Sequence, residues 1–172
     1  MDKKSHVAAV FLDISKAFDS LNHHILLAKL NNIGLRGPAY DLIKSYLTER
    51  KQFVFCTNIY SDYKLIEYGV PQGSILDPIL FLVYINDIIN STDNVHFTMY
   101  ADDTSFIVTD NDLQALHFKL SLVLDRISNW VKANKLELNV NKTHVMLFQN
   151  RSLSYDLAPV RLDREIVRVH TT

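Results

Sequence analysis

The sequence predicts a mixed α/β domain, and three observations carry that reading. An apolar run at residues 6–12, His6-Val7-Ala8-Ala9-Val10-Phe11-Leu12, stops at Asp13. Two more apolar runs, at 95–99 and 105–109, bracket Tyr100-Ala101-Asp102-Asp103. Residues 112–135 then place Leu113, Leu116, Leu120, Leu124, Ile127 and Val131 at helical spacing. Unbroken apolar runs of this length read as strands, and the 3.6-residue period reads as an amphipathic helix.

The elements follow in order. After the first strand, Leu21, Ile25, Leu26, Leu30 and Ile33 predict a helix over about 20–32, which Gly34 stops. Pro38 opens a second helix with Leu42, Ile43, Tyr46 and Leu47 on one face. Residues 51–57 and 63–68 predict a strand pair joined by the polar turn 58–62. Gly69-Val70-Pro71-Gln72-Gly73-Ser74 is a loop that opens a very apolar helix over about 75–89. Because Asp is depleted in strands, Asp102 and Asp103 belong at the tip of a β-hairpin. The strand Val145-Met146-Leu147-Phe148 follows the long helix. A weakly alternating tail from Arg151 carries Val160, Leu162, Ile166 and Val169.

Composition narrows the class. A chain of 172 residues with 48% hydrophobic content, four Gly and four Pro is long enough to bury a core and is not low-complexity. The single cysteine, Cys56, has no internal disulfide partner and suits a reducing compartment. The longest apolar run, Ile79-Leu80-Phe81-Leu82-Val83-Tyr84-Ile85, falls far short of the roughly 20 residues of a membrane span. No signal-peptide pattern follows Met1, so the expected location is intracellular, without distinguishing nucleus from cytoplasm. With 18 basic residues against 19 acidic ones, net charge gives no sign of a grip on a phosphate backbone.

Adjacent carboxylates repel unless a cation lies between them or one is protonated, and a hard divalent ion with oxygen ligands relieves that repulsion. Alone, Asp102-Asp103 is equally an Asx turn, and Asp13 alone reads first as a strand-end or helix-cap residue. Together, the three supply carboxylates from two neighbouring strands. Two-metal phosphoryl transfer requires such a set.

The motifs around these residues resemble the palm of reverse transcriptases. Phe11-Leu12-Asp13-Ile14-Ser15-Lys16-Ala17-Phe18-Asp19 is similar to the first palm motif, and Gly69-Val70-Pro71-Gln72-Gly73-Ser74-Ile75-Leu76-Asp77-Pro78 to the second. Tyr100-Ala101-Asp102-Asp103 matches the third, and Leu136-Glu137-Leu138-Asn139-Val140-Asn141-Lys142-Thr143 through Phe148 the fourth. The order fits, with 59 positions from Asp13 to Gln72 and 30 more to Asp102. Ile33-Gly34-Leu35-Arg36-Gly37-Pro38, Ser45 to Gln52 and Ser20-Leu21-Asn22-His23-His24 resemble the jockey-like non-LTR retrotransposon enzymes in particular. His23 and His24 show no metal geometry and read as helix-surface or packing residues.

The resemblance implies an α/β (α+β) polymerase palm over 1–150, an antiparallel sheet with helices packed on one face. Its motifs lie at 11–19, 69–78, 100–103 and 136–148. Residues 151–172 are then a strand-like tail leading towards a primer grip and thumb that are missing, as most of the fingers are. The implied activity is RNA-directed DNA polymerisation, adding dNTPs to a DNA primer on an RNA template, with two Mg²⁺ ions or Mn²⁺ as cofactor. Asp13, Asp102 and Asp103 match the metal ligands, with the Ile14 carbonyl as an extra oxygen. Phe18 matches the residue beneath the incoming sugar that excludes a 2′-hydroxyl. Gln72 and Gly73 match the loop along nucleotide and template, and Lys142 the lysine near the pyrophosphate leaving group.

Asp77 departs from the pattern, because the family carries Gly there. It is expected to cost conformational freedom and to add negative charge near a triphosphate. Without fingers and thumb, the 172-residue chain is expected to be inactive by itself. The alternatives are a non-enzymatic palm-like remnant that binds nucleic acid or a protein partner, and a polymerase-like nucleotidyl cyclase. The Gln72-Gly73 loop and the Tyr100-Ala101 context disfavour the cyclase.

Overall fold

The computed structural model describes residues 5–71, 73–93, 95–148, 159–162 and 165–171. Gln72 and the start of the tail, 151–158, lie outside the described residues. The elements begin with β1 (His6–Leu12), α1 (His23–Asn32) and α2 (Gly37–Leu47). Four two-residue strands come next, β2 (Lys51–Gln52), β3 (Phe55–Cys56), β4 (Ile59–Tyr60) and β5 (Lys64–Leu65), and then α3 (Leu76–Ile85). A 3₁₀ helix (Asn86–Ser91), β6 (His96–Tyr100), β7 (Asp103–Asp110), α4 (Leu113–Ala133) and β8 (His144–Phe148) follow. The last strands are β9 (Arg161–Leu162), β10 (Glu165–Ile166) and β11 (Arg168–Thr171). The chain divides into two compact units, one of residues up to Ser15 with those from Asn86 onward, the other Lys16–Ile85. Composition carries no break at either junction.

The first unit is a five-stranded sheet in the order β11-β8-β1-β7-β6. β1 lies between β7 and β8, antiparallel to both, and Val10 is level with Phe106 on one side and Val145 on the other. Alternation along each strand sorts the faces. Ala8, Val10, Leu12, Thr104, Phe106, Val108, Val145 and Leu147 are buried on one face, and α4 packs on β1 and β7. The helix presents Leu116, Leu120, Leu124, Ile127 and Val131, the stripe read from sequence. Full burial of such side chains contributes about 1.5–3 kcal/mol each. Asp112 caps the helix by accepting the Ala115 N–H at 2.8 Å. Lys119 pairs with Asp110 at the end of β7. That hydrogen bond holds the Asp110 carboxyl below its usual range, so its stabilising effect is present above the unfolded carboxylate pKa and fades as pH falls through the lowered one. The opposite face carries Phe11, Asp13, Asp103, Ser105, His144 and Met146, by the same alternation.

One strand departs from the expected antiparallel sheet, because β11 runs parallel to β8. The tail reaches the edge after the β9–β10 hairpin, whose Val160, Leu162 and Val167 are buried, and Val167 N–H bonds the Val160 carbonyl. This return sets the strand direction, and tail periodicity alone cannot reveal it.

In the second unit, α1 packs on α2 and α3 around Leu21, Leu26, Leu47, Phe81, Tyr84 and Ile85. The α1 helix starts at His23 rather than Ser20, since Asn22 caps it by accepting the Ile25 N–H at 3.1 Å. On α2 the predicted apolar face is largely open: Leu47 is buried and Leu42 is exposed. The predicted α3 stops early, at Ile85, and tightens into the 3₁₀ helix. There Ser91 Oγ donates to the Ile88 carbonyl at 2.6 Å. Asn, Asp and Ser compete with the α-helical ladder through such local bonds.

The expected 51–57/63–68 strand pair also differs. Its turn is Thr57-Asn58, not 58–62, with φ of 48° and 63°, as a two-residue type I′ hairpin turn requires. Phe55 pairs with Tyr60 and Cys56 with Ile59, whereas Gln52 pairs with Lys64. Asp62 and Tyr63 therefore oppose Phe53 alone, which is a bulge. Polarity placed the turn too late, because Asn58 tolerates a positive φ while Ile59 and Tyr60 favour strand.

Candidate active site

The acidic site grows out of the β1–β7 register. Leu12 is opposite Thr104, so one step on Asp13 falls opposite Asp103, on the face away from α4. Both line one cavity of about 490 Å³, with Phe11, Ser105, Lys142 and His144 among its walls. The Asp13 backbone is held from both sides: its N–H donates to Thr143 Oγ1 at 3.3 Å, and its carbonyl accepts the Asn139 N–H at 2.8 Å. Thr143 is itself fully buried. The fourth-motif loop thus acts as a clamp on the end of β1.

Lys142 Nζ lies 3.8 Å from Asp13 Oδ1. A pair this exposed contributes at most about 1 kcal/mol to stability, and its consequence is positional: a cation stands at the mouth of a carboxylate cavity. Ile14 forms an antiparallel bridge with Leu138. The bonds of that bridge use Ser15 N–H and Asp13 C=O. The Ile14 carbonyl is consequently directed to the other edge of the strand, the β7 edge.

Tyr100 pairs with Asp103, leaving Ala101-Asp102 as a two-residue turn. Ala101 has φ of 52°, a left-handed conformation that costs an L-residue about 1–2 kcal/mol. Asp102 sits on this strained tip, and it is not among the residues lining the cavity. Among the described residues, no three His, Cys, Asp or Glu side chains are grouped closely enough to hold a metal ion. The donor chemistry nonetheless fits Mg²⁺, which takes one or two carboxylates with substrate phosphates rather than a protein cage.

The second-motif loop belongs to the other unit. Gly69 has φ of 78°, and a Cβ there would lie 2.9 Å from the Asp19 carbonyl oxygen. Gly69 N–H bonds the Leu21 carbonyl at 2.8 Å, and Val70 N–H bonds the Phe18 carbonyl at 3.0 Å. His23, read from sequence as packing or surface, is buried, and its Nε2 is 2.7 Å from the Gly69 carbonyl. His24 is exposed. Phe18 packs on Phe81, ring centroids 4.9 Å apart, and stays partly exposed. Gly73 has φ of 90° and open space around it.

Asp77 overturns the expectation attached to it. It lies in the first turn of α3, 4% exposed and outside the positive-φ region. Its Oδ2 accepts the Ser74 N–H at 2.9 Å, and Ser74 Oγ accepts the Leu76 N–H at 3.1 Å. Tyr46 O–H reaches Oδ1 at 3.4 Å. Ser74 and Asp77 therefore form a reciprocal capping box, a signal present in Ser-x-x-Asp. Asp77→Ala is expected to lower stability by about 1 kcal/mol, read as a shift in the urea midpoint. An unchanged midpoint would show that the carboxylate supports nothing.

The first unit thus carries two paired strands with carboxylates at their adjoining ends and a clamp loop with a lysine, and the second unit carries a glycine loop. Residues 1–162 match the family described as reverse transcriptase (RNA-dependent DNA polymerase). The chain belongs to the reverse transcriptase family. This reverse transcriptase chain is similar to the RNA-directed DNA polymerase from mobile element jockey of Drosophila melanogaster, 32% identical over 99% of the chain and 19% of that protein. It is likewise similar to the probable RNA-directed DNA polymerase from transposon BS of the same organism, 31% identical over 96% of the chain and 19% of that protein. The chain thus spans 19% of the length of these relatives. Its fold is similar to apo telomerase from Candida tropicalis truncated from its C-terminal domain, with TM-score 0.62 and 17% identity over 86% of this chain and 32% of that one. The fold is therefore of the polymerase palm type. No helix among the described residues is long and apolar enough to cross a membrane.

Proposed function

We propose that this reverse transcriptase chain is the palm of an RNA-directed DNA polymerase, adding dNTPs to a DNA primer on an RNA template. The observation that carries the reading is the cavity shared by Asp13 and Asp103 on adjacent paired strands, with Lys142 at its mouth. Asp13, Asp103, the neighbouring Asp102 and the Ile14 carbonyl would hold divalent ions. Such ions, when bound, activate the primer hydroxyl and neutralise the triphosphate. Lys142 would face the departing pyrophosphate. Phe18 would exclude a ribose 2′-hydroxyl, and Gln72 with Gly73 would lie along the template and nucleotide. The remnant reading draws no support from Asp77, whose charge is satisfied within its own helix turn.

The test is primer extension on an RNA template with Mg²⁺, using the palm joined to flanking sequence of the length its relatives have. Template-dependent incorporation is expected there, with most of it lost in Asp102→Asn at unchanged fold. Residues 1–172 alone are expected to incorporate nothing measurable, because misplacing the reacting groups by about 1 Å costs roughly 100-fold. Near-parental extension by Asp102→Asn would remove that carboxylate from the site. Robust incorporation by the isolated chain would show that the palm positions its own substrates.

A further inference from the structure

Between α2 and the glycine loop, β2, β3, β4 and β5 form an arm. Its base is anchored where Tyr68 bridges Asn22 and the Glu67 carbonyl accepts the His23 N–H. Beyond that base β2 packs on β5 and β3 on β4, and among the described residues none of the four packs closely on α1, α2 or α3. Phe55 pairs with Tyr60 and Cys56 with Ile59, so alternation puts Phe53, Phe55 and Tyr60 on one face and Val54, Cys56 and Ile59 on the other. The rings cluster: Phe55 is 4.6 Å from Tyr60, Phe53 is 5.4 Å from Tyr60, and Tyr63 closes on Phe53 at 5.1 Å, centroid to centroid. Yet Phe53, Phe55, Tyr60 and Tyr63 are 42%, 54%, 67% and 69% exposed. Residues 52–61 carry no charged side chain, and Lys51 and Lys64 stand at the base of the arm.

We propose that this aromatic face joins two copies of the chain, arm against arm, in a twofold contact. A two-stranded ribbon alone is marginally stable in water, and contiguous apolar patches of several hundred Å² mark interaction sites. At about 150–250 Å² per ring, the open fractions leave on the order of 500 Å² on this face. Two copies would bury on the order of 1,000 Å², which reaches the lower limit of a specific contact. A twofold contact sets one patch against itself. A charged patch resists that arrangement, whereas this uncharged one does not, and its rings can meet edge-on or offset. The same lack of charge disfavours nucleic acid as the occupant, because the tip has no cation to neutralise a phosphate backbone. The inference goes beyond the polymerase reading and does not rest on it, since none of these residues lines the acidic cavity.

The experiment is sedimentation equilibrium of the purified 172-residue chain, paired with a spin label on its single, exposed cysteine, Cys56. A monomer–dimer equilibrium in the micromolar range is expected for a contact of this size. Ribbons stacked face to face lie about 10 Å apart, so labels on their outer faces should give one short inter-copy distance. Phe55→Lys should weaken the dimer at least about tenfold, as loss of a central aromatic anchor does, with unchanged circular dichroism. Tyr60→Lys should act in the same direction, whereas Ile59→Lys, on the opposite face, should leave the dimer in place. A monomer throughout the micromolar range, a dimer untouched by Phe55→Lys, or equal loss with Ile59→Lys overturns the proposal. So does a dimer without the short label distance, which would use another surface. Single-stranded RNA that broadens the label spectrum of a monomer would make the arm a nucleic-acid platform instead. The same label in the palm joined to flanking sequence separates a second copy from the chain's own flanks. A dimer with the short distance supports the proposal there, and a label immobilised in a monomer overturns it.

Discussion

Asp13→Asn, in the palm joined to flanking sequence of its relatives' length, is expected to cut template-directed incorporation by at least about a thousandfold. The side chain keeps its shape, and the backbone bonds to Thr143 and Asn139 remain. What disappears is the charge that opposes Asp103 across the strand pair and would face a cation in the shared cavity. Lewis-acid stabilisation of a transferring phosphoryl group supplies several kcal/mol, and each 1.4 kcal/mol is about a decade in rate. Losing the exposed pairing with Lys142 costs at most about 1 kcal/mol of stability. The circular dichroism and thermal midpoint of the variant should therefore stay close to those of the parent. Rate loss with an intact fold is the expected split. A variant that extends primers within about tenfold of the parent would show that the Asp13 carboxylate is not a metal ligand.

Gly69→Ala is expected to be the most destabilising single-methyl change in the second-motif loop. Two costs act together there. The φ of 78° is one that L side chains rarely adopt, and the new Cβ would lie 2.9 Å from a backbone oxygen and 3.0 Å from the Cα of Asp19. Strain of the first kind alone costs of order 1–3 kcal/mol, and backbone at that distance cannot rotate away as a side-chain tip can. The bonds that Gly69 makes to the His23 ring and to the Leu21 carbonyl would have to shift with it. Gly73→Ala is the internal control: its φ is also positive, but nothing lies within 4 Å of the new methyl. Urea denaturation should show a clearly larger drop for Gly69→Ala than for Gly73→Ala. Equal drops would mean that the approach to Asp19 relaxes freely.

The difference between these two glycines shows where sequence reading stops. Both occur in one motif and both carry positive φ, yet only one is pressed against a backbone from a distant part of the chain. Similarly, Asp77 read as an intrusion because the resemblance compared it with Gly, while Ser74 three residues earlier already carried the capping-box signal. His23 looked like surface or packing because its acceptor, the Gly69 carbonyl, lies 46 residues away. Asp102 and Asp103 are indistinguishable in sequence, and only the turn at Ala101 separates the residue on the tip from the one lining the cavity.

By itself, the sequence determined the strands at β1, β6, β7 and β8, the α4 stripe and the family, because these depend on local period, propensity and short motifs. Only the tertiary structure decided that Asp13 meets Asp103, that Thr143 and Asn139 clamp the end of β1, and that β11 returns parallel to β8. Each of these depends on register between segments far apart in the chain. A register sets which side chains share a face, and shifting it by one residue exchanges the faces without altering any local pattern.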